Sequence, residues 1–191
     1  MPNWALRDYI RIYEGALDAG VCRRLVESFE GQPRLQRPHG GDDRPGLESS
    51  HWTALNVSAV ADRNFVARFR KLIGAALEQY NLELGLGIPV PNSQLHGDLV
   101  IKRYEPGGHD RFQLHYDSVN RAANRYLVFL WYLNDVYEGG ETAFPYLGLR
   151  VAARAGRLLM FPPYWMYQHE GIAPRSNAKF ILSTYLLFDQ S

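Results

Sequence analysis

Residues 125–145 read RYLVFLWYLNDVYEGGETAFP, and this stretch decides the fold. Positions 126–133 form a short, uncharged run of aromatic, aliphatic and β-branched side chains, which reads as a strand. Within it Phe129 and Trp131 alternate with Leu130 and Tyr132, the pattern of core packing rather than of substrate stacking. Asn134-Asp135 breaks the run, Gly139-Gly140 turns the chain, and a second strand covers 142–144.

Outward from this stretch the same grammar continues. Short runs rich in Val, Ile, Phe, Tyr and Leu predict further strands over 99–104, 113–117, 149–151, 157–161, 166–169 and 179–188. The N-terminal side differs. A short β-like segment covers 9–13. Asp18 then caps a helix whose apolar residues Val21, Cys22, Leu25, Val26 and Phe29 recur at three and four, and Gly31 ends it. The polar stretch 32–50, with Gly40-Gly41-Asp42-Asp43, reads as a long loop, either a lid or a disordered segment. A strand over 52–57 follows. Asp62 caps a second helix with the stripe Phe65, Val66, Phe69, Leu72, Ile73, Ala76, Leu77 and Tyr80. Helices first and strands after predict a mainly β domain with supporting helices, a sandwich or jelly roll. A single domain is expected over 1–191, with helical support to about 95 and the β core from about 96.

Composition narrows the function classes. The chain has 191 residues, 46% hydrophobic, with a net charge of +1. That composition supports a sizeable core and is not that of a disordered chain. No long block of one charge sign points to nucleic acid or a charged membrane surface. No apolar run reaches the roughly 18 residues of a membrane span, and no apolar leader opens the chain. The lone cysteine, Cys22, forms no internal disulfide and no zinc knuckle, and a reducing cytoplasm is the expected setting.

Two His-x-Asp triplets stand out, His96-Gly97-Asp98 and His115-Tyr116-Asp117. On a strand, or at its end, positions i and i+2 share a face, so such a pair can offer a nitrogen and an oxygen to one metal ion. A second His from a distant strand completes the two-His, one-carboxylate set that leaves open positions and suits non-haem Fe(II). The triplet alone is a weak signal. His96-Gly97-Asp98 also reads as a turn into the next strand, whereas His115-Tyr116-Asp117 is followed by His169 and then Lys179. Period two places Lys179, Ile181, Ser183 and Tyr185 on one face. If that face points inward, the lysine meets an anion, with Ser183 or Thr184 adding a hydroxyl. If it points outward, Lys179 is an exposed strand-start lysine.

The order of these residues resembles a known family. Val100-Ile101-Lys102-Arg103-Tyr104, His115-Tyr116-Asp117, Tyr132-Leu133-Asn134-Asp135-Val136, Gly139-Gly140-Glu141-Thr142-Ala143-Phe144-Pro145, Gly156–Phe161, His169 and Lys179 are similar to the catalytic domain of prolyl 4-hydroxylases, 2-oxoglutarate/Fe(II) dioxygenases. The likeness covers roughly residues 99–188. It implies a double-stranded β-helix with iron held by His115, Asp117 and His169. It implies that Lys179 salt-bridges the distal carboxylate of 2-oxoglutarate, with Tyr104 and Thr142 bonded to the same cosubstrate. Arg125 and Tyr185 fall where substrate lies. Trp165, beside Tyr164 near the presumed mouth, reads equally as core or as substrate contact.

The activity implied is O2-dependent hydroxylation of an unactivated C–H bond, such as that of a prolyl residue in a peptide or protein. Succinate and CO2 are released, with ascorbate as an accessory reductant. A carboxylate at Asp117 points to hydroxylation, since related halogenases need a small residue there. Two departures bear on prolyl specificity: the Tyr104–His115 interval, with Gly107-Gly108-His109-Asp110, is longer than in prolyl hydroxylases, and Val128 stands where Thr is frequent. Two alternatives stay open, the same chemistry on a free amino acid or small metabolite, and a non-catalytic cupin-like metal-binding protein.

Overall fold

The structure is a computed structural model that describes residues 4–39 and 47–189. In chain order its elements are β1 (Arg11–Tyr13), α1 (Ala19–Glu30), β2 (Arg37–His39), β3 (Trp52–Asn56), α2 (Arg63–Leu84), β4 (Val100–Tyr104), β5 (Phe112–His115), β6 (Arg125–Tyr132), β7 (Thr142–Phe144), β8 (Leu149–Val151), β9 (Leu158–Phe161), β10 (His169–Gly171) and β11 (Lys179–Leu187). The strands form a seven-stranded sheet, ordered β1-β9-β6-β11-β4-β3-β2, and a four-stranded sheet, ordered β5-β10-β7-β8. Every pairing is antiparallel, as the jelly roll requires.

At β6 the large sheet is buried on both faces, which is why 126–133 reads as an unbroken apolar run. In β6, Leu127, Phe129 and Trp131 pack toward the helices with Phe69, Ile73 and Leu77 of α2. Val128, Leu130 and Tyr132 pack the other way, with Phe112, Phe144 and Phe161 between the sheets. Phe69 meets Trp131 edge to face at 5.7 Å. The helix caps follow the sequence. Asp18 Oδ1 accepts from the N–H groups of Gly20 and Val21, and Asp62 Oδ1 from that of Phe65. No helix among the described residues is long and apolar enough to cross a membrane.

Four segments differ from the sequence reading by more than one residue. Segment 9–13 begins inside a 3-10 turn, Leu6–Tyr9, and only Arg11–Tyr13 pairs. Part of the 32–50 stretch is ordered as a 3-10 turn, Pro33–Leu35, and as β2, paired with β3. As the edge strand, β2 tolerates Pro38, which lacks a ladder donor. The Gly40–Asp43 portion lies outside the described residues. Strand 113–117 stops at His115, because the N–H groups of Asp117 and Ser118 turn to Pro163. Segment 166–169 is a 3-10 turn, Trp165–Tyr167, closed by a Tyr167 N–H bond to the Tyr164 carbonyl; β10 starts only at His169.

Candidate active site

His115 and His169 lie far apart in sequence and meet through strand register. They are direct partners across the antiparallel β5–β10 pair, with ring centroids 4.3 Å apart. Asp117 sits just past β5. The N–H groups of Asp117 and Ser118 both donate to the Pro163 carbonyl, at 3.1 and 3.0 Å, and this folds the loop back over the strand end. The Asp117 carboxylate then reaches both rings, with Oδ1 3.7 Å from His115 Nε2 and Oδ2 3.6 Å from His169 Nε2. The ligand atoms of all three residues lie within 4.8 Å of one another.

The surroundings set their charge states. His115 Nδ1 is 2.8 Å from the Gln113 carbonyl and His169 Nδ1 is 3.1 Å from that of Tyr167. A carbonyl only accepts, so each Nδ1 carries the proton and each Nε2 presents a lone pair toward Asp117. Burial, and then the neighbouring His169, push the His115 imidazolium down to about 3. Burial likewise lowers His169, against the pull of Asp117. Burial opposes ionisation of Asp117, but it is outweighed by His169 and His115 in their protonated forms and by Arg125 and Lys102, which hold the carboxyl below its usual range. The site is thus two neutral imidazoles and one carboxylate.

These residues fit a divalent metal. His115 Nε2 is buried with no hydrogen-bond partner, a state that costs about 1–3 kcal/mol for a polar group. A cation at the centre of the cluster would satisfy it, and this donor set with open positions suits Fe(II).

Lys179 begins β11 opposite Tyr104 and is 2% exposed, so its face is the inward one. Its ammonium lies 5.4 Å from the Tyr104 ring centroid and 5.6 Å from that of Tyr132. Burial lowers it to about 7, with Glu141 pulling up and Lys102 pushing down. Asn134 fixes the strand on either side of it, donating to the Ala178 carbonyl at 2.7 Å and accepting from the Phe180 N–H at 2.8 Å. The cavity that holds the three ligands and Lys179 is also lined by Tyr104, Thr142, Ser183 and Tyr185. Thr142 accepts a 2.7 Å bond from the Tyr132 hydroxyl, and the Tyr185 hydroxyl donates to Asp117 Oδ1 at 3.1 Å. Val128 occupies the inner wall without a polar group. Arg125 stacks 3.9 Å over Tyr185, its Nη1 3.8 Å from Asp117 Oδ1.

Two residues fall elsewhere. Trp165 is 65% exposed and lines neither this cavity nor the groove beside it. His96 bridges to Leu186 while Asp98 accepts from Asn56 Nδ2, so the first His-x-Asp triplet is outside the metal cluster. One lining residue was missed. Lys102 lies two positions before Tyr104 on β4, so the period-two rule that turned Lys179 inward predicts the same for Lys102.

Comparison with known proteins agrees with this geometry. Residues 99–187 match the 2OG-Fe(II) oxygenase superfamily. The chain is 33% identical over 170 residues to a probable prolyl 4-hydroxylase 9 of Arabidopsis thaliana, covering 75% of this chain and 54% of that one. It is 28% identical over 140 residues to prolyl 4-hydroxylase 2 of the same plant, covering 70% of this chain and 42% of the other. The chain therefore spans about half the length of these relatives. Among solved structures, a Pseudomonas putida prolyl-4-hydroxylase superposes with a TM-score of 0.69 at 19% identity, over 94% of this chain and 93% of the other. A viral collagen prolyl hydroxylase from Paramecium Bursaria Chlorella virus-1, in complex with 2OG, gives 0.67 at 20%, over 95% and 97%. At these identities the structural likeness is one of fold.

Proposed function

Residues 99–187 of this chain belong to the 2OG-Fe(II) oxygenase superfamily, and we propose that it hydroxylates an unactivated C–H bond, that of a prolyl residue in a peptide or protein, at the expense of 2-oxoglutarate and O2. One observation carries the reading: the His115, Asp117 and His169 cluster shares a cavity with a buried lysine. A structural metal site has no use for an anion anchor beside it. The prolyl substrate is supported by the prolyl 4-hydroxylases among the relatives.

His115, Asp117 and His169 would hold Fe(II). With 2-oxoglutarate and O2, bound iron supplies an oxidant that places one oxygen atom in succinate, with loss of CO2, and the other in the substrate C–H bond. The chain's own residues fix where this happens. Burial keeps both imidazoles neutral at physiological pH, so protons do not compete for Nε2. Tyr185 and Arg125 steady the Asp117 carboxylate from the mouth side. Lys179, positioned by Asn134, would bind the distal carboxylate of 2-oxoglutarate by a charge-assisted hydrogen bond, with Tyr104 and Thr142 close by. The apolar wall of Val128, Leu130, Phe161 and Ile181 excludes water from that end.

Anaerobic titration of the Fe(II)-loaded protein with 2-oxoglutarate tests the reading. The weak visible charge-transfer band of the chelate is expected, and it should be lost in Lys179→Ala at the same cosubstrate concentration. Iron binding with no band in the wild-type protein would favour the cupin-like binding protein instead.

A further inference from the structure

Tyr185 stands where two spaces meet. It lines the inner cavity with Lys179, and it also lines a groove of about 520 Å³ that opens beside the metal cluster, together with Asp117, Arg125 and Gly97. Its side chain comes from β11, on the same face as Lys179, and is half-buried. A tyrosine at such a mouth reads first as a substrate contact. Its bonding points inward instead, to a metal ligand.

Several contacts seat this ring. Its hydroxyl donates to Asp117 Oδ1 at 3.1 Å. The Arg125 guanidinium covers it at 3.9 Å, and Arg125 Nη1 pairs with the same Oδ1 at 3.8 Å. Gly97 supplies another contact. Residues 95–97 run beside β11: the Leu187 N–H donates to the Leu95 carbonyl at 3.1 Å, His96 bridges to Leu186, and the Gly97 N–H donates to the Tyr185 carbonyl at 2.9 Å. Thr184 Oγ1 donates to the Gly97 carbonyl at 2.7 Å. The far end of the segment is tied as well, with Asn56 Nδ2 donating to Asp98 at 2.7 Å and the Leu99 N–H to Ser58 Oγ at 2.8 Å. Bonded on both sides, Gly97 is held against Tyr185. Its backbone is not left-handed, so what glycine supplies there is space rather than conformational freedom. A Cβ at this position would stand 3.3 Å from Tyr185 Cδ2 and 3.4 Å from the Tyr185 nitrogen.

The two oxygens of Asp117 are treated differently. Tyr185 and Arg125 both reach Oδ1, whereas Oδ2, 3.6 Å from His169 Nε2, receives neither. A carboxylate with one oxygen engaged in this way offers the other to an ion, and hydrogen bonds of this kind fix a ligand's orientation. We infer, resting on the reading of His115, Asp117 and His169 as a metal site, that Tyr185 is a positioning residue for that site. Its hydroxyl holds Oδ1 so that Asp117 meets the ion through Oδ2, and the bare backbone of Gly97 lets the ring lie where that hydroxyl reaches. The hydrogen bond tolerates little movement. At 3.1 Å it is already at the long end of the O–H···O range, so a ring pushed away by a few tenths of an ångström loses it. The first His-x-Asp triplet thereby acquires a role that needs no ligand from His96: its middle residue seats the side chain that steers the second triplet.

The test needs no substrate and is independent of what the chain hydroxylates. Metal-free protein is titrated with Co(II), whose visible bands report the number and arrangement of its ligands. Wild type, Tyr185→Phe, Gly97→Ala and the double variant are compared, with His169→Ala as the control and melts of the metal-free proteins to check folding. Tyr185→Phe keeps the ring and removes only its oxygen. It is expected to weaken Co(II) binding by about tenfold, the lower end of the usual effect of losing such a support, and to shift the bands. Gly97→Ala should weaken binding with the same altered bands, and should add no further loss in the Tyr185→Phe background, because both act through one hydrogen bond. A Tyr185→Phe protein with wild-type affinity and bands overturns the inference and returns Tyr185 to a substrate contact. A Gly97→Ala loss of equal size with and without the hydroxyl also overturns it, since Gly97 would then be a general prop of β11. If Gly97→Ala does not fold, Tyr185→Phe decides alone. The control separates the two layers. Co(II) binding that His169→Ala abolishes and Tyr185→Phe leaves untouched removes only the positioning role. No Co(II) binding by the wild type, or binding that survives His169→Ala, removes the metal reading and the inference with it.

Discussion

An ammonium group buried against two tyrosine rings is poised near neutrality, and Lys179 sits at about 7 before any carboxylate arrives. The pH dependence follows from that value. Below about 7 the lysine is already charged and binding 2-oxoglutarate needs no proton. Above it the free site is neutral, so binding must take up a proton and affinity declines by about tenfold per pH unit, until the pKa of the complex is passed. Affinity titrations between pH 6 and 9 should therefore show a plateau and then a fall. Lys179→Arg should flatten the profile and Lys179→Ala should bind weakly throughout; a level wild-type profile would remove the charge role assigned to this lysine. The same residue-level logic separates the two His-x-Asp triplets. His115→Ala and Asp117→Ala should abolish succinate formation, whereas His96→Ala, whose ring lies outside the metal cluster, should leave iron binding and turnover in place. Loss of turnover in His96→Ala, with iron still bound, would mean that the wrong triplet was chosen.

At the scale of elements, the site depends on how β6, β7 and β11 are joined. Asn134 bonds the chain on both sides of Lys179, so Asn134→Ala should weaken 2-oxoglutarate binding without touching the metal ligands. Dissociation constants for the metal and for 2-oxoglutarate, measured separately, check this; an equal loss of both would indicate a general loosening of the fold. The Gly139-Gly140 turn is set by backbone shape. Gly139 has a φ of +70°, and a Cβ there would run into the Ala173 carbonyl, so neither the conformation nor the space suits another residue. Gly139→Ala is expected to cost at least about 1–2 kcal/mol from the left-handed conformation alone, with a lowered Tm in a thermal melt. An unchanged Tm would mean that the turn relaxes freely. Residues 139–145 are thus legible in the sequence because a tight turn, a steric contact and a strand start coincide there.

Over the whole molecule, what the sequence revealed and what it hid have different physical origins. The two-faced burial of β6 made the central strand plain, and the caps at Asp18 and Asp62 made both helices plain. The order of His115, Asp117, His169 and Lys179 was legible too. Their meeting was not, because it depends on the β5–β10 register and on a loop bent by the Pro163 carbonyl. The β2 edge was hidden for the opposite reason: Arg37-Pro38-His39 has no apolar alternation, and its pairing comes from β3 alone. Lys102 escaped because a lysine in a strand is ordinarily read as solvated. Such a site also makes a global prediction. The cluster holds a buried lone pair at His115 Nε2 that an ion would satisfy only in the folded chain. Metal should therefore stabilise the fold by linkage, by about 2.7 kcal/mol at a hundredfold excess over Kd. For a chain of this size that corresponds to a rise in Tm of roughly 5–10 °C. Melts of metal-free protein with and without anaerobic Fe(II) check this, and the rise should vanish in His169→Ala, which removes the one ligand contributed by β10. A rise that survives the substitution would locate the bound ion elsewhere on the molecule and separate metal binding from the cavity that Lys179 shares.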